Sequence, residues 1–225
     1  MKREEYNLIE NYMLECMKDS AHDKAHIYRV LNVALEIAEG EENVNYDVLI
    51  AACLLHDISR IEQYENPAVD HAKAGAQKAY GFLKENGFGE EFSKSVFHCI
   101  RTHRFRGNDA PETIEAKILF DADKIDVTGT LGIARTLQYK AGFSEPLYSF
   151  DENGYVSDGT DDKQPSFFQE YKFKLERVYD RIITKSGKKI AEERRKSAVS
   201  FYESMLSEVK SSYEKGKQIL DKVIE

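Results

Sequence analysis

Apolar residues in this chain recur at three- and four-residue intervals through one segment after another, a spacing that predicts helices. Over residues 25–39, Ile27, Val30, Leu31, Ala34, Ile37 and Ala38 share one helical face. Gly40 is a natural stop, and Asn45 a natural cap for the next helix. From Val48 to Ile58 the chain is apolar almost all round, which places that helix at the centre of a bundle. Asp70 caps a further helix ending near Gly87. Glu90 to His103 carries Phe92, Val96, Cys99 and Ile100 at helical spacing, and Ile114 to Ile125 forms another such segment. No run alternates as a strand would. The expected fold is all-α.

The 225 residues suffice for one sizeable core. They read as a single domain, 1–225, with a core over about 20–140, a polar segment at 142–166 and C-terminal helices over 167–225. One of those helices is expected near 167–184. A second runs from beyond Gly187 to the C-terminus, with a break near Gly216. Glycine, proline, serine and aspartate dominate 142–166. Long irregular segments inside compact domains often act as lids, and a solvated linker is the alternative.

Charge and cysteine usage narrow the function classes. A formal net charge of −8 argues against a polymeric nucleic-acid partner, which needs a basic face. It leaves room for a small anionic substrate in a locally cationic pocket. Apolar runs such as VLIAACLL fall well short of the ~20 residues that span a bilayer, so no membrane partner is expected. The N-terminus lacks a secretory pattern. Cys16, Cys53 and Cys99 are widely spaced and read as reduced thiols of a cytoplasmic protein.

The chemistry concentrates in KAHIYRV, AACLLHDISR and DADKID. His26 opens the inner stripe of its helix with Val30, Val33 and Ile37. His56 and Asp57 point ~100° apart if helical, so both reach one ion only over the groove near the helix end. Asp57 at that negative end, in an apolar run, is costly unless its charge is compensated. Two imidazoles and two carboxylates hold a divalent cation and can leave positions open for water and substrate. Manganese, magnesium, iron, cobalt, nickel and zinc all suit such a set. Asp121 and Asp123 are two residues apart and face nearly opposite ways, so only one binds the ion. Asp126 lies on roughly the face of Asp123, placed to orient a ligand, a water or a substrate hydroxyl.

These contexts resemble the HD-domain superfamily of metal-dependent phosphohydrolases, whose pattern is H…HD…D on bundled helices. The resemblance implies an HD-domain helical bundle with additional C-terminal helices, and metal ligands His26, His56, Asp57 and Asp123. The A-D-K-I context selects Asp123, with Asp121 as the fallback. His71, in VDHAKAGA, and His103, in IRTHRFRG, match histidines that hold a second metal in binuclear relatives and contact phosphate or move protons in mononuclear ones. Simple packing is the third reading for both. The segments HDKAHIYRV, ACLLHDI, DADKIDVTGTLGIARTL and SGKKIAEERRKSAVSFYESML are similar to a small stand-alone bacterial and archaeal subgroup. That subgroup includes a nucleoside-triphosphate pyrophosphohydrolase.

Arg101, Arg104 and Arg106 crowd around His103 and suit phosphate oxygens, with Lys124 and Lys73 as further cations. Asp126 joins them as a substrate contact. Arg29 is placed to pair with a site carboxylate, His22 has no decided role, and His98 falls on a polar face. Neither a phosphate-binding P-loop, a nucleophile elbow nor an HExxH helix is present. The expected activity is hydrolysis of a phosphate ester or anhydride, with a nucleotide favoured. Asp57 would orient the water, and His71 or His103 would assist the leaving oxygen. A nucleotide-sensing module with a structural metal is the alternative.

Overall fold

A computed structural model of the chain describes residues 1–17, 24–105 and 109–224. They fold as helices, and the sole strand-like feature among them is an isolated bridge between Phe150 and Val156. The chain divides into two compact units. One comprises residues 1–126 with 182–188, the other 127–181 with 189–225.

In the first unit, α1 (Arg3–Cys16), α2 (Lys24–Ala38) and α3 (Tyr46–Leu55) are followed by the short α4 (Arg60–Glu65), then α5 (His71–Glu85), α6 (Glu90–Thr102) and α7 (Ile114–Ile125). The α2 face identified from spacing is the one that buries, including Ile27, Val30, Ala34 and Ile37. Helix α3 is buried almost all round and touches α1, α2, α5, α6 and α7. An all-apolar surface forces that central position, because every face needs a partner. Three of the first unit's helices are capped by side-chain oxygens on early amides. Asn45 accepts from Val48 N at 3.2 Å, Asp70 from Ala72 N at 3.0 Å, and Thr113 from Ala116 N at 3.2 Å. Each cap fixes where its helix starts, and five of the helices end or begin at the site described below.

The second unit holds α8 (Gly129–Ala141), α9 (Phe167–Glu170) and most of α10 (Lys185–Val223). Its core gathers Ile133, Val156, Phe167, Phe168, Tyr171, Leu175, Ala198 and Tyr202. The helix expected over 167–184 is interrupted. After α9 a π turn runs over Tyr171–Leu175, then a short 3₁₀ turn over Val178–Arg181. The wide turn, closed by Glu176 N on Tyr171 O at 2.8 Å, lets both Tyr171 and Leu175 bury. Tyr171 then stacks on Tyr202 at 4.0 Å between centroids. The break expected near Gly216 is absent, because Gly216 lies inside α10 with open space around it. A mid-helix glycine costs only ~1 kcal/mol.

Segment 142–166 is not a solvated linker. Val156 is buried, Tyr202 Oη donates to Asp158 O, and Tyr213 Oη donates to Gly154 O at 2.7 Å. Ser149 and Ser157 hydroxyls both donate to the Asp162 carboxylate. The segment therefore folds as part of the second unit.

Candidate metal centre

Helix ends of the first unit carry the site. His26 lies in the first turn of α2, and His56 is the residue that closes α3, with Asp57 in the turn after it. His71 opens α5, His103 closes α6, and Asp123 sits in the last turn of α7 with Asp126 just beyond. Their ligand atoms form two groups, His26–His56–Asp123 and Asp57–His71–His103, each within 4.8 Å of one another.

Asp57 joins the two. Its Oδ2 lies 3.8 Å from His26 Nε2 and 3.9 Å from His56 Nε2. Its Oδ1 lies 3.1 Å from His71 Nε2 and 3.7 Å from His103 Nε2. Asp123 Oδ1 stands 3.5 Å from His26 Nε2, and the Nε2 atoms of His26 and His56 are 3.4 Å apart. The adjacent His56 and Asp57 stand at the end of α3, where His56 still holds helical dihedrals, with Nε2 and Oδ2 3.9 Å apart.

Every one of these imidazoles is held from behind by Nδ1. The acceptors are Asp126 Oδ2 for His26 at 2.7 Å, Cys53 O for His56 at 2.7 Å, Ile100 O for His103 at 2.6 Å, and Gln63 Oε1 for His71 at 2.6 Å. For His26, His56 and His103 the Nδ1 partner only accepts, which places the proton on Nδ1 and turns Nε2 inward, whereas His71 Nδ1 also has Arg60 and Arg104 Nη1 at 3.0 and 3.2 Å. Burial lowers the pKa of His56, and burial together with the neighbouring His56 takes His103 down to about 3. Both are neutral at pH 7, with lone pairs on Nε2. Burial also pulls His26 down, but its bond to Asp126 and the charges of Asp123 and Asp57 outweigh that and raise it.

Burial pushes Asp57 up, yet His56, His71 and His103 hold it well below the usual carboxylate range. Burial likewise opposes ionisation of Asp123, and Lys124 and His26 overcome it. The centre thus turns the Nε2 lone pairs of His56 and His103 and the carboxylate oxygens of Asp57 and Asp123 toward one another. A divalent cation fits that donor set and compensates its charge. His56 is fully buried while Asp57 and Asp123 keep 14 % and 22 % of their side chains exposed, so the approach is from the carboxylate side.

The remaining candidates separate by geometry. Asp121 turns away from the centre and accepts from Ile183 N at 2.8 Å and from Thr184 N and Oγ1, each at 2.6 Å. Asp126 is 1 % exposed and takes Arg29 Nε at 2.7 Å beside His26. Its carboxylate thus bonds His26 Nδ1 and pairs with Arg29. Lys124 Nζ lies 2.9 Å from Asp123 Oδ2. Arg104 Nη1 reaches His71 Nδ1 at 3.2 Å, whereas Arg101 pairs with Asp109 at 2.9 Å. Lys73 is exposed near the start of α5. His98 takes no part in either ligand group, and its buried Nε2 has no hydrogen-bond partner among the described residues. His22 and Arg106 lie outside the described residues. Arg60 and Gln63, both beside His71, carry no motif that marks them in the sequence.

The HD domain model matches residues 24–128, which span all the helix ends just described. A predicted HD superfamily hydrolase from an uncultured Thermotogales bacterium is 32 % identical, with 89 % of this chain and 90 % of that chain covered and a TM-score of 0.62. An HD-superfamily hydrolase from Bacillus thuringiensis is 28 % identical over 92 % of this chain and 98 % of its own, with a TM-score of 0.73. Bacillus subtilis YpgQ is 27 % identical over 196 residues, 85 % of this chain and 86 % of that protein. Its structure in complex with ADP superposes with a TM-score of 0.70 at 25 % identity, covering 91 % of this chain and 95 % of that one. No helix among the described residues is long and apolar enough to cross a membrane.

Proposed function

We propose, from the premise that this chain belongs to the HD-domain superfamily, that it is a metal-dependent phosphohydrolase acting on a nucleotide ester or anhydride. The observation that carries this reading is the convergence of imidazole lone pairs on the ionised Asp57 and Asp123 at an accessible cluster of helix ends. His26, His56, Asp57 and Asp123 would hold the ion. When bound, it polarises a phosphoryl oxygen and lowers the pKa of a water. Asp126 keeps His26 in the ligating tautomer, and Lys124 offsets part of the charge of Asp123. Asp57, whose oxygens face both ligand groups, is placed to orient the attacking water. Arg104, against His71, is placed to take a phosphoryl oxygen. The complex of the relative YpgQ with ADP supports a nucleotide as the ligand class, and a nucleoside triphosphate cleaved to monophosphate and pyrophosphate is the specific form favoured.

One observation favours a second ion at Asp57, His71 and His103. With a pKa of about 3, His103 is an acceptor at neutral pH and a poor proton donor, while its Nε2 faces Asp57 Oδ1 at 3.7 Å. His103→Ala and Arg104→Ala separate the alternatives. If His103 holds a second ion, metal content falls from about two to about one per chain in His103→Ala alone. If the segment only contacts phosphate, both variants keep the parent metal content and lose roughly ten- to a hundredfold in kcat/KM. A packing role lowers Tm and leaves the kinetics of the folded fraction near normal.

The activity itself is tested by phosphate and pyrophosphate release from nucleoside triphosphates, diphosphates, monophosphates and cyclic nucleotides, with each candidate divalent metal in turn. Metal-dependent release from at least one class is expected. Nucleotide binding with no release from any class makes the chain a nucleotide-sensing module instead.

A further inference from the structure

Three of the four imidazole anchors at the centre are main-chain carbonyls or a carboxylate, those of Cys53, Ile100 and Asp126. The fourth is a neutral amide. Gln63 Oε1 lies 2.6 Å from His71 Nδ1, 3.3 Å from Arg104 Nη1 and 3.4 Å from Arg60 Nη1. Arg60 Nη1 also stands 3.0 Å and 3.2 Å from the two ring nitrogens of His71. One half-buried oxygen on α4 thus collects an imidazole and two guanidinium groups, while Nε2 of the same imidazole stands 3.1 Å from Asp57 Oδ1.

The chemistry of that point calls for an acceptor, because both guanidinium groups donate toward it, as does His71 in its Nδ1–H form. A carboxylate would accept from them too, but it would pair with the guanidinium charges and compete with an incoming anion. An amide oxygen orients the same groups without neutralising them.

We infer that Gln63 is a positioning residue of the centre. Its amide oxygen fixes His71 as the Nδ1–H tautomer, with Nε2 turned to Asp57, and gathers Arg60 and Arg104 into a two-guanidinium clamp for phosphoryl oxygens. The identity of the anion rests on the phosphohydrolase reading, whereas the tautomer and the gathering of the guanidiniums do not.

The test uses the full chain carrying Gln63→Met or Gln63→Glu, loaded with zinc as a diamagnetic ion. Metal content, Tm, two-bond ¹⁵N–¹H spectra of the histidines and calorimetric binding of pyrophosphate are measured on parent and variants. His71→Gln assigns the His71 signal. Both Gln63 variants are expected to keep their metal. Gln63→Met should lose the Nδ1–H signature of His71 and bind pyrophosphate roughly ten- to a hundredfold more weakly. Gln63→Glu should keep that signature and still weaken pyrophosphate, because its carboxylate occupies the guanidinium groups. A Gln63→Met protein with the parent spectrum and parent affinity overturns the inference. So do variants that differ from the parent in Tm alone, and so does a parent protein that binds no pyrophosphate. Expected spectra and affinities with no turnover of any nucleotide overturn the hydrolase reading and leave the role of Gln63 standing.

Discussion

Replacing Asp57 by alanine should empty the centre and reduce metal-dependent phosphate release to background. Among the described residues, Asp57 is the one whose two oxygens face both ligand groups, at 3.8 and 3.9 Å on one side and 3.1 and 3.7 Å on the other. Its removal takes away a ligand, a negative charge and the link between the groups together. What remains is a set of imidazoles around the single carboxylate of Asp123, a much poorer site for a divalent ion. The fold should survive, because the side chain carries no helix cap. Elemental analysis, circular dichroism and the phosphate-release assay on one preparation check all three points. A folded Asp57→Ala protein with parent metal content and turnover contradicts the assignment.

The second large effect separates two aspartates that differ by two positions. Asp123→Ala should lose metal and activity with little change in stability. Asp121→Ala should do the reverse. Asp121 is fully buried and accepts three hydrogen bonds from Ile183 and Thr184, which burial partly opposes by raising its pKa. Its loss strands buried donors at the segment that leads into α10, at a cost of about 2–4 kcal/mol. For a chain of this size that corresponds to a drop in Tm of about 5–15 °C. Differential scanning calorimetry and metal content on the two variants are decisive. Loss of metal in Asp121→Ala at unchanged Tm would exchange the roles.

The parts of this structure that could be read from the chain are those written in local chemistry. The inner faces of α2 and α6, and the caps Asn45 and Asp70, follow from spacing and from side chains that bond amides two or three residues away. The opposed facing of Asp121 and Asp123 is likewise local, since it needs only helical geometry. What each aspartate meets is not local. The donors to Asp121 lie 62 and 63 residues away in sequence. The π turn at Tyr171 answers to a ring on α10, and the folding of 142–166 depends on Tyr202 and Tyr213. Gln63 stayed unmarked for the same reason. Its carbonyl gains meaning only where His71, 8 residues on, and Arg104, 41 residues on, come to it in space.

Metal content of the purified full chain, measured by elemental analysis before and after reconstitution with manganese, magnesium, iron, cobalt, nickel and zinc, tests the central claim most directly. At least one divalent ion per chain is predicted, displaced by chelator and restored on reconstitution. A protein that carries no divalent metal as purified, and takes up none from any of the six, contradicts a metal centre at His26, His56, Asp57 and Asp123.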